Sequence, residues 1–524
     1  MIHSLIYAVR GFLSGDGALI LPEMELVLFA CGILLVDRWL AASEKHWNAI
    51  LALGGIAFSA FTLYVQHGKI QALRGADSES PGLLGFRQSV LVDPFFLFFA
   101  ALFLAAAALI ILLSVRYLEI VEETRGGYYS LLLFACVGAM LMVAGVNLLV
   151  VFLGLEILGL SGYILAKFLR REPDATVASR NFAALWVCSS VALGVGFLLL
   201  FGLFQTANLG RMGAALEVRL GDGVAFAGLT TWHSWLALSL AAAGSFFLMG
   251  AVPFHWFAPG TFENAPAPVA AFLGTIGMTA GFALLLRLFS FLFLFAHEKW
   301  LHVWGGLAIV SLLWGNIAAL RQTSVKRILA YGAVAQTGFI LFGLVAGNEA
   351  GFQGMFYYLG VHIFATIGAF GVLIAIQQPG ATGLPGSAAD YKLADLNGLF
   401  RRSPVAALLL LVFLMSLAGI PPTAGFLAKY YLVKALLAVP HPELAVFALI
   451  NALLSAYYYR RIVAHAFKKQ SFNTTPIEAL PQERRPLTIS NGQTVALTAA
   501  VFVTIVAGLY PELFLRLTRY AFGQ

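Results

Sequence analysis

Long apolar runs, each about as long as a bilayer is thick, alternate with short polar connections along almost the whole chain. Fourteen such runs lie near 19–37, 48–66, 90–114, 128–146, 148–169, 181–204, 235–258, 268–291, 301–320, 327–347, 353–377, 404–435, 443–466 and 491–514. A helix needs roughly 20 mainly apolar residues to cross about 30 Å of hydrocarbon. The runs show no period-two alternation and are far longer than the roughly 9–11 residues of a membrane strand, so they predict helices. The fold class that follows is an all-α polytopic membrane protein of about 14 transmembrane helices.

Two runs carry helix breakers near their middles. The seventh reads GAVPFHWFAPG, with Pro253 and Pro259, and the twelfth reads SLAGIPPTAGFLAKYY, with Pro421 and Pro422. Proline removes a backbone donor and clashes with the preceding turn, so helices 7 and 12 should be broken there. Each break falls on the fourth helix of a five-helix group, helices 4–8 and helices 9–13. With 14 spans these groups have opposite orientations, the layout of two inverted five-helix repeats; a chance coincidence of prolines is the alternative. The predicted organisation is 1–127 (helices 1–3), 128–291 (first half), 301–466 (second half) and 467–524 (a cytoplasmic loop and helix 14).

Composition excludes a soluble chain: 60% of the 524 residues are hydrophobic and 11% are charged, too few to clothe an apolar core. The net charge of +7 does not point to nucleic acid, because the basic residues are scattered between the apolar runs. Of the 32 Lys and Arg, 20 lie in or at the edges of connections on one side, 9 on the other side with the termini, and 3 (Arg287, Lys429 and Lys434) deeper inside runs. The richer side should be cytoplasmic, which puts both termini on the outer, periplasmic face. The amino-terminal MIHSLIYAVRGFLSGDG lacks a small-residue cleavage site and reads as part of the mature chain. Cys31, Cys136 and Cys188 sit singly in apolar runs and suggest neither a disulfide nor a metal site. There is no Ser–His–Asp elbow, P-loop or metal-spaced His/Cys cluster, which argues against chemistry on a bound substrate.

An ionisable group near the bilayer centre costs roughly 2.5–3.5 kcal/mol on insertion scales, so each needs a reason. Glu156, in VVFLGLEILGLSGY, stands eight residues into the fifth run. It is either a proton-loading carboxyl or a paired group that pins two helices. Lys429, a few residues past the twelfth-run break, is either a titrating lysine or one that reaches to the interface. His255 beside Pro253 and His362 in the eleventh run are each a relay or a structural histidine. Arg180 is an anchor or a partner for Glu156, and Lys326 and Arg327 read as interfacial anchors.

Four long segments, GLEILGLSGYILAKF, AVPFHWFAPGTFENAPAPVAAFL, RQTSVKRILAYGAVAQTGF and RRSPVAALLLLVFLMSLAGIPPTAGFLAKYYL, occur in this order. Together they resemble the antiporter-like membrane subunits of respiratory complex I, most closely the subunit N group of NADH:quinone oxidoreductases. The likeness runs from about residue 90 to 466. It implies a membrane-arm subunit of a proton-translocating NADH:quinone oxidoreductase in a bacterial inner membrane, with no redox chemistry on this chain. The implied partners are neighbouring antiporter-like subunits and lipid, with NADH, FMN, iron–sulfur clusters and quinone held by other subunits and no metal here.

The resemblance matches Glu156 to the family's fifth-helix glutamate, Lys429 to its lysine on the broken twelfth helix, and His255 to the histidine of VPFH. Arg180 stands where a lysine is common. Three positions depart from the pattern: Leu248 and Met278 replace lysines of helices 7 and 8, and Gln336 replaces a tenth-helix histidine. Two expectations follow. The chain is a working proton-translocating subunit with a relay through Glu156, His255, His362 and Lys429, or it is a scaffold that has lost conduction. A subunit of a multi-subunit cation/proton antiporter or membrane hydrogenase is a further alternative.

Overall fold

The computed structural model describes residues 15–76, 82–121, 126–169, 173–221, 232–293, 297–376, 391–468 and 489–521. The long helices are α1 (Leu21–Val36), α2 (Trp47–Ala76), α3 (Pro94–Ile120), α4 (Gly126–Ala144), α5 (Leu148–Ala166) and α6 (Pro173–Phe204). They continue with α7, in two pieces (Trp232–Met249 and Ala258–Asn264), α8 (Ala267–Phe293), α9 (His297–Leu320), α10 (Val325–Ala346) and α11 (Glu349–Ile376). Then come α12, also in two pieces (Pro404–Ala418 and Ala424–Leu437), α13 (Glu443–Phe467) and α14 (Asn491–Leu509). A helix coincides with every predicted run.

Eleven of the described helices are long and apolar enough to cross a membrane. The remaining three fall short for identifiable reasons. Helix α1 has 16 residues, α12 is broken, and α13 has 25 residues but carries Asn451, Ser455, Arg460, Arg461 and His465.

Side-chain caps start several helices, because the first backbone N–H groups of a helix lack internal partners. Asp93 accepts from Phe96 N at 2.8 Å to open α3, with Pro94 at the first position. Ser324 opens α10, Ser403 with Pro404 opens α12, and Ser490 with Gln493 forms a reciprocal box at α14. Helix α10 stops at Gly347, whose φ of +59° is the left-handed conformation that suits glycine.

The core is centred on α8, α10 and α11, each 94% buried over its most apolar stretch, whereas α6 and α14 are 28% and 33% buried. The outer helices turn Leu153, Val191, Leu198, Leu453 and Phe502 outward. Close packing relies on small residues, as expected where lipid gives no hydrophobic drive between helices. A Cβ on Gly138 of α4 would come within 2.7 Å of the Gly154 carbonyl oxygen of α5.

The structure refines several expectations. The α7 break occupies 250–257 and Pro259 lies inside the second piece, where it fits the first turn. The fourteenth run stops at Leu509, and Pro511–Ala521 forms a separate amphipathic helix, α15. The 67–89 connection holds the end of α2 and β1 (Leu83–Gly85), which pairs antiparallel with β2 (Val90–Val92) at the start of the third run. Helix α8 contains two π-turns, Leu273–Gly277 and Phe289–Phe293. The amino-terminal segment before residue 15, most of the 467–490 loop, and Arg10, Arg125, Arg170, Arg171, Lys469, Arg484 and Arg485 of the charge count lie outside the described residues.

Candidate functional site

The α12 break brings backbone carbonyls and a lysine together. The first piece is capped by Gly419 with φ +81°, and the Leu417 and Ala418 carbonyls at its end are left without partners within the helix. The second piece starts at Ala424 and carries Lys429 back beneath that end. Lys429 Nζ donates to Ala418 O at 2.9 Å, Leu417 O at 3.2 Å and Ser455 Oγ of α13 at 3.2 Å, and lies 4.7 Å from the Phe339 ring centroid. The lysine is 5% exposed. The C-terminal end of a helix and an aromatic face both stabilise a cation. Hydrogen-bonded oxygens around Lys429 are thus carbonyl or hydroxyl, with no carboxylate among them.

Helix α10 serves both breaks. Gln336 Nε2 donates to Leu417 O at 2.8 Å, the oxygen that Lys429 also uses, while the Tyr358 hydroxyl donates to Gln336 Oε1. Thr337, the next residue, donates to Met249 O at 2.8 Å at the end of the first α7 piece. Val252 N, inside that break, donates to Ser311 Oγ of α9 at 2.9 Å. Unwound backbone in a membrane persists only where neighbouring groups satisfy it in this way.

His255 lies in the α7 break, buried, with its ring 5.9 Å from Trp314 in an edge-on arrangement. Its Nδ1 has no hydrogen-bond partner among the described residues. His362 is buried in α11 and has the Thr366 hydroxyl at 3.4 and 3.5 Å from its two ring nitrogens, the edge of hydrogen-bond range. Glu156 is half-buried on α5, and its carboxylate accepts from Ser190 Oγ of α6. Arg180 is exposed, so the pairing considered for it with Glu156 is absent among the described residues. No direct hydrogen bond joins Glu156, His255, His362 and Lys429 to one another among the described residues.

Leu248 and Met278 line a cavity of about 40 Å³ between the α7 break, α8 and α10, together with Leu158, Phe262, Leu273 and Val334. That volume exceeds the roughly 10–15 Å³ a water needs, but a water also needs two to four polar partners. Thr261 contributes a hydroxyl to the lining, and it is already bonded to Phe257 O at 2.8 Å. The rest of the lining is made mainly of apolar side chains.

Three features escaped the sequence reading. Arg287, counted inside the eighth run without a role, makes two bonds of 2.6 and 3.0 Å to Asp93, donates to Val143 O at 2.8 Å, and covers the Phe95 ring. Lys326 is not an interfacial anchor: it is 1% exposed and donates to Ala265 O at 3.0 Å and Glu263 O at 3.2 Å. Arg327 pairs with Glu263 at 3.1 Å. Ser190 and Ser455, the hydroxyls beside Glu156 and Lys429, gave no signal because serine is common in apolar helices. Among the described residues no group of three or more His, Cys, Asp or Glu could hold a metal ion.

A family model described as NADH:quinone oxidoreductase/Mrp antiporter, TM, matches residues 144–455. The NADH-quinone oxidoreductase subunit N 1 of Koribacter versatilis is 38% identical over 512 residues, covering 97% of this chain and 95% of the relative. A chain in the structure of respiratory complex I from Thermus thermophilus with bound aureothin is 27% identical, with a TM-score of 0.74 over 94% of this chain and 98% of that one. A chain of the Mrp complex from a Dietzia species has a TM-score of 0.75 over 95% and 96% of the two chains, and at 20% identity it shows likeness of fold.

Proposed function

The chain belongs to the NADH:quinone oxidoreductase/Mrp antiporter family of membrane subunits, and on that premise we propose that it translocates protons through a relay in which Lys429 is the loading group. It is an antiporter-like, multi-pass membrane-arm component of a proton-translocating complex, working beside other membrane-arm subunits in the bilayer. Redox chemistry belongs to those other subunits. By analogy with the named relatives, the complex is an NADH:quinone oxidoreductase.

In this reading the 14 helices α1–α14 all span the membrane, with both termini outside. Helices α4–α8 and α9–α13 are the two inverted repeats, broken at Pro253 and at Pro421–Pro422. Residues 1–127 add three helices on one side and 467–524 add the last.

The observation that carries the proposal is the Lys429 ammonium, buried in a helix break and bonded to Leu417 O, Ala418 O and Ser455 Oγ. Moving one charge across 100 mV is worth about 2.3 kcal/mol. A small displacement of two carbonyls relative to Nζ alters the electrostatic energy of the charged state by a similar amount at these distances. A redox-driven shift of α12 would therefore load and unload the proton. Glu156, His255 and His362 are the remaining relay candidates, joined to Lys429 through water.

A second reading has its own support. The apolar cavity at Leu248 and Met278 fits a first half that has become scaffold, leaving transfer to the second half alone. Glu156→Gln and Lys429→Ala in the assembled complex separate these readings through protons moved per electron. Loss in both variants supports the full relay, and loss only in Lys429→Ala supports the scaffolded first half. An unchanged ratio in both would falsify the proposal.

A further inference from the structure

Resting on the proposed proton transfer at Lys429, we infer that Tyr458 and Tyr459 of α13, with Ser455, form the proton-uptake path to that lysine from the cytoplasmic side. Ser455, Tyr458 and Tyr459 stand at i, i+3 and i+4, so they share one face of α13. Ser455 Oγ already accepts from Lys429 Nζ. One turn further toward the end that carries Arg461, Lys326 and Tyr391, the two tyrosines meet α10 at Gly332. A Cβ on Gly332 would collide with the Tyr459 hydroxyl and lie 3.6 Å from that of Tyr458. The missing side chain thus makes room for phenols in the core of the second half.

Their surroundings distinguish them from ordinary buried tyrosines. Tyr459 interacts through its hydroxyl with Gln336, whose Oε1 also accepts from Tyr358. Tyr458 is 0% exposed, and its hydroxyl interacts with that of Tyr459. The two phenols and the Gln336 amide thus form a connected set of hydroxyl and amide groups in a buried site. A phenol can donate and accept at once. Each hydroxyl therefore takes up one proton while passing its own onward, and no phenolate forms. The last transfer converts a neutral Lys429 amine to ammonium.

The test uses the assembled complex in membrane vesicles, measuring protons per electron and the solvent deuterium effect on turnover. Tyr458→Phe keeps the ring and removes only the hydroxyl, and thermal unfolding of the complex checks that assembly is intact. Tyr458→Phe and the Tyr458→Phe/Tyr459→Phe pair are expected to lower the ratio to that of Lys429→Met, with the deuterium effect altered in the single variant. A structural role alone would leave both readouts unmoved. If Lys429→Met lowers the ratio while both tyrosine variants match wild type, the path is wrong and the role of Lys429 stands. If Lys429→Met also leaves the ratio unchanged, both ideas fall together.

Discussion

Gln336 and Lys429 donate to the same atom, the carbonyl oxygen of Leu417, at 2.8 and 3.2 Å. An oxygen with two lone pairs can serve both, so the amide on α10 and the ammonium on α12 have coupled positions. Gln336→Leu removes one donor and leaves the Tyr358 hydroxyl without its acceptor. The loss of one buried hydrogen-bond partner costs about 1–3 kcal/mol. We expect lower thermal stability of the complex and a shift in the pH profile of proton transfer, with Gln336→Glu shifting that profile further. A pH profile identical to wild type in both variants would detach Gln336 from the lysine.

Gly419 has φ +81°, and a Cβ there would sit 2.6 Å from Lys429 Cδ. The left-handed conformation alone costs a residue with a side chain roughly 1–2 kcal/mol. Gly419→Ala should therefore lose at least that much stability and displace the lysine, reducing protons per electron. Thermal unfolding in detergent and vesicle pumping assays read the two effects separately.

The Arg287–Asp93 pair ties α8 to the start of α3 and to the end of α4. Removing one member of a buried pair typically costs about 3–5 kcal/mol, because the other charge stays behind. Arg287→Met should fall in that range, and Arg287→Met with Asp93→Asn should recover part of it. A double variant as unstable as the single one would show that the charge left behind is not the cause.

Leu248→Lys places an ammonium in the apolar cavity beside the α7 break. With no acceptor waiting, the cost should approach the roughly 2.5–3.5 kcal/mol of a membrane-buried charge, while Leu248→Met should cost less than about 1.5 kcal/mol. Equal stability of both variants would mean that water reaches the cavity.

Helix α15 offers a pH prediction outside the spans. Hydrogen bonds from Arg516 and Arg519 hold the Glu512 carboxyl below its ordinary value of 4.5. A carboxyl lowered in the folded state contributes its stability above the unfolded value and loses it as pH falls through the folded one. Protection of the amides in 511–521, taken relative to their intrinsic exchange rate, should fall below about pH 4.5 and, because these groups are exposed, should also fall with salt.

The sequence made the α12 break legible because PPTAG has few other readings, and it pointed to Lys429 because a lysine in an apolar run is conspicuous. The surroundings of Lys429 were not legible. Its partners Leu417 and Ala418 act through backbone carbonyls, which leave no mark on residue type. Gln336 read as a loss from a family pattern, yet it is bonded into the site. Leu248 and Met278 were recognised as departures, but only packing turns them into the wall of a cavity. Lys326 misled because the same long side chain can reach a lipid headgroup or fold inward onto carbonyls, and the choice depends on the end of α7.

Gln336 and Thr337 are consecutive residues of α10, and each holds the carbonyl end of a different broken helix. Helix α10 is therefore a strut shared by the two breaks. A slide along its axis would stretch the bonds to Leu417 O and Met249 O together, so a movement at one break is felt at the other.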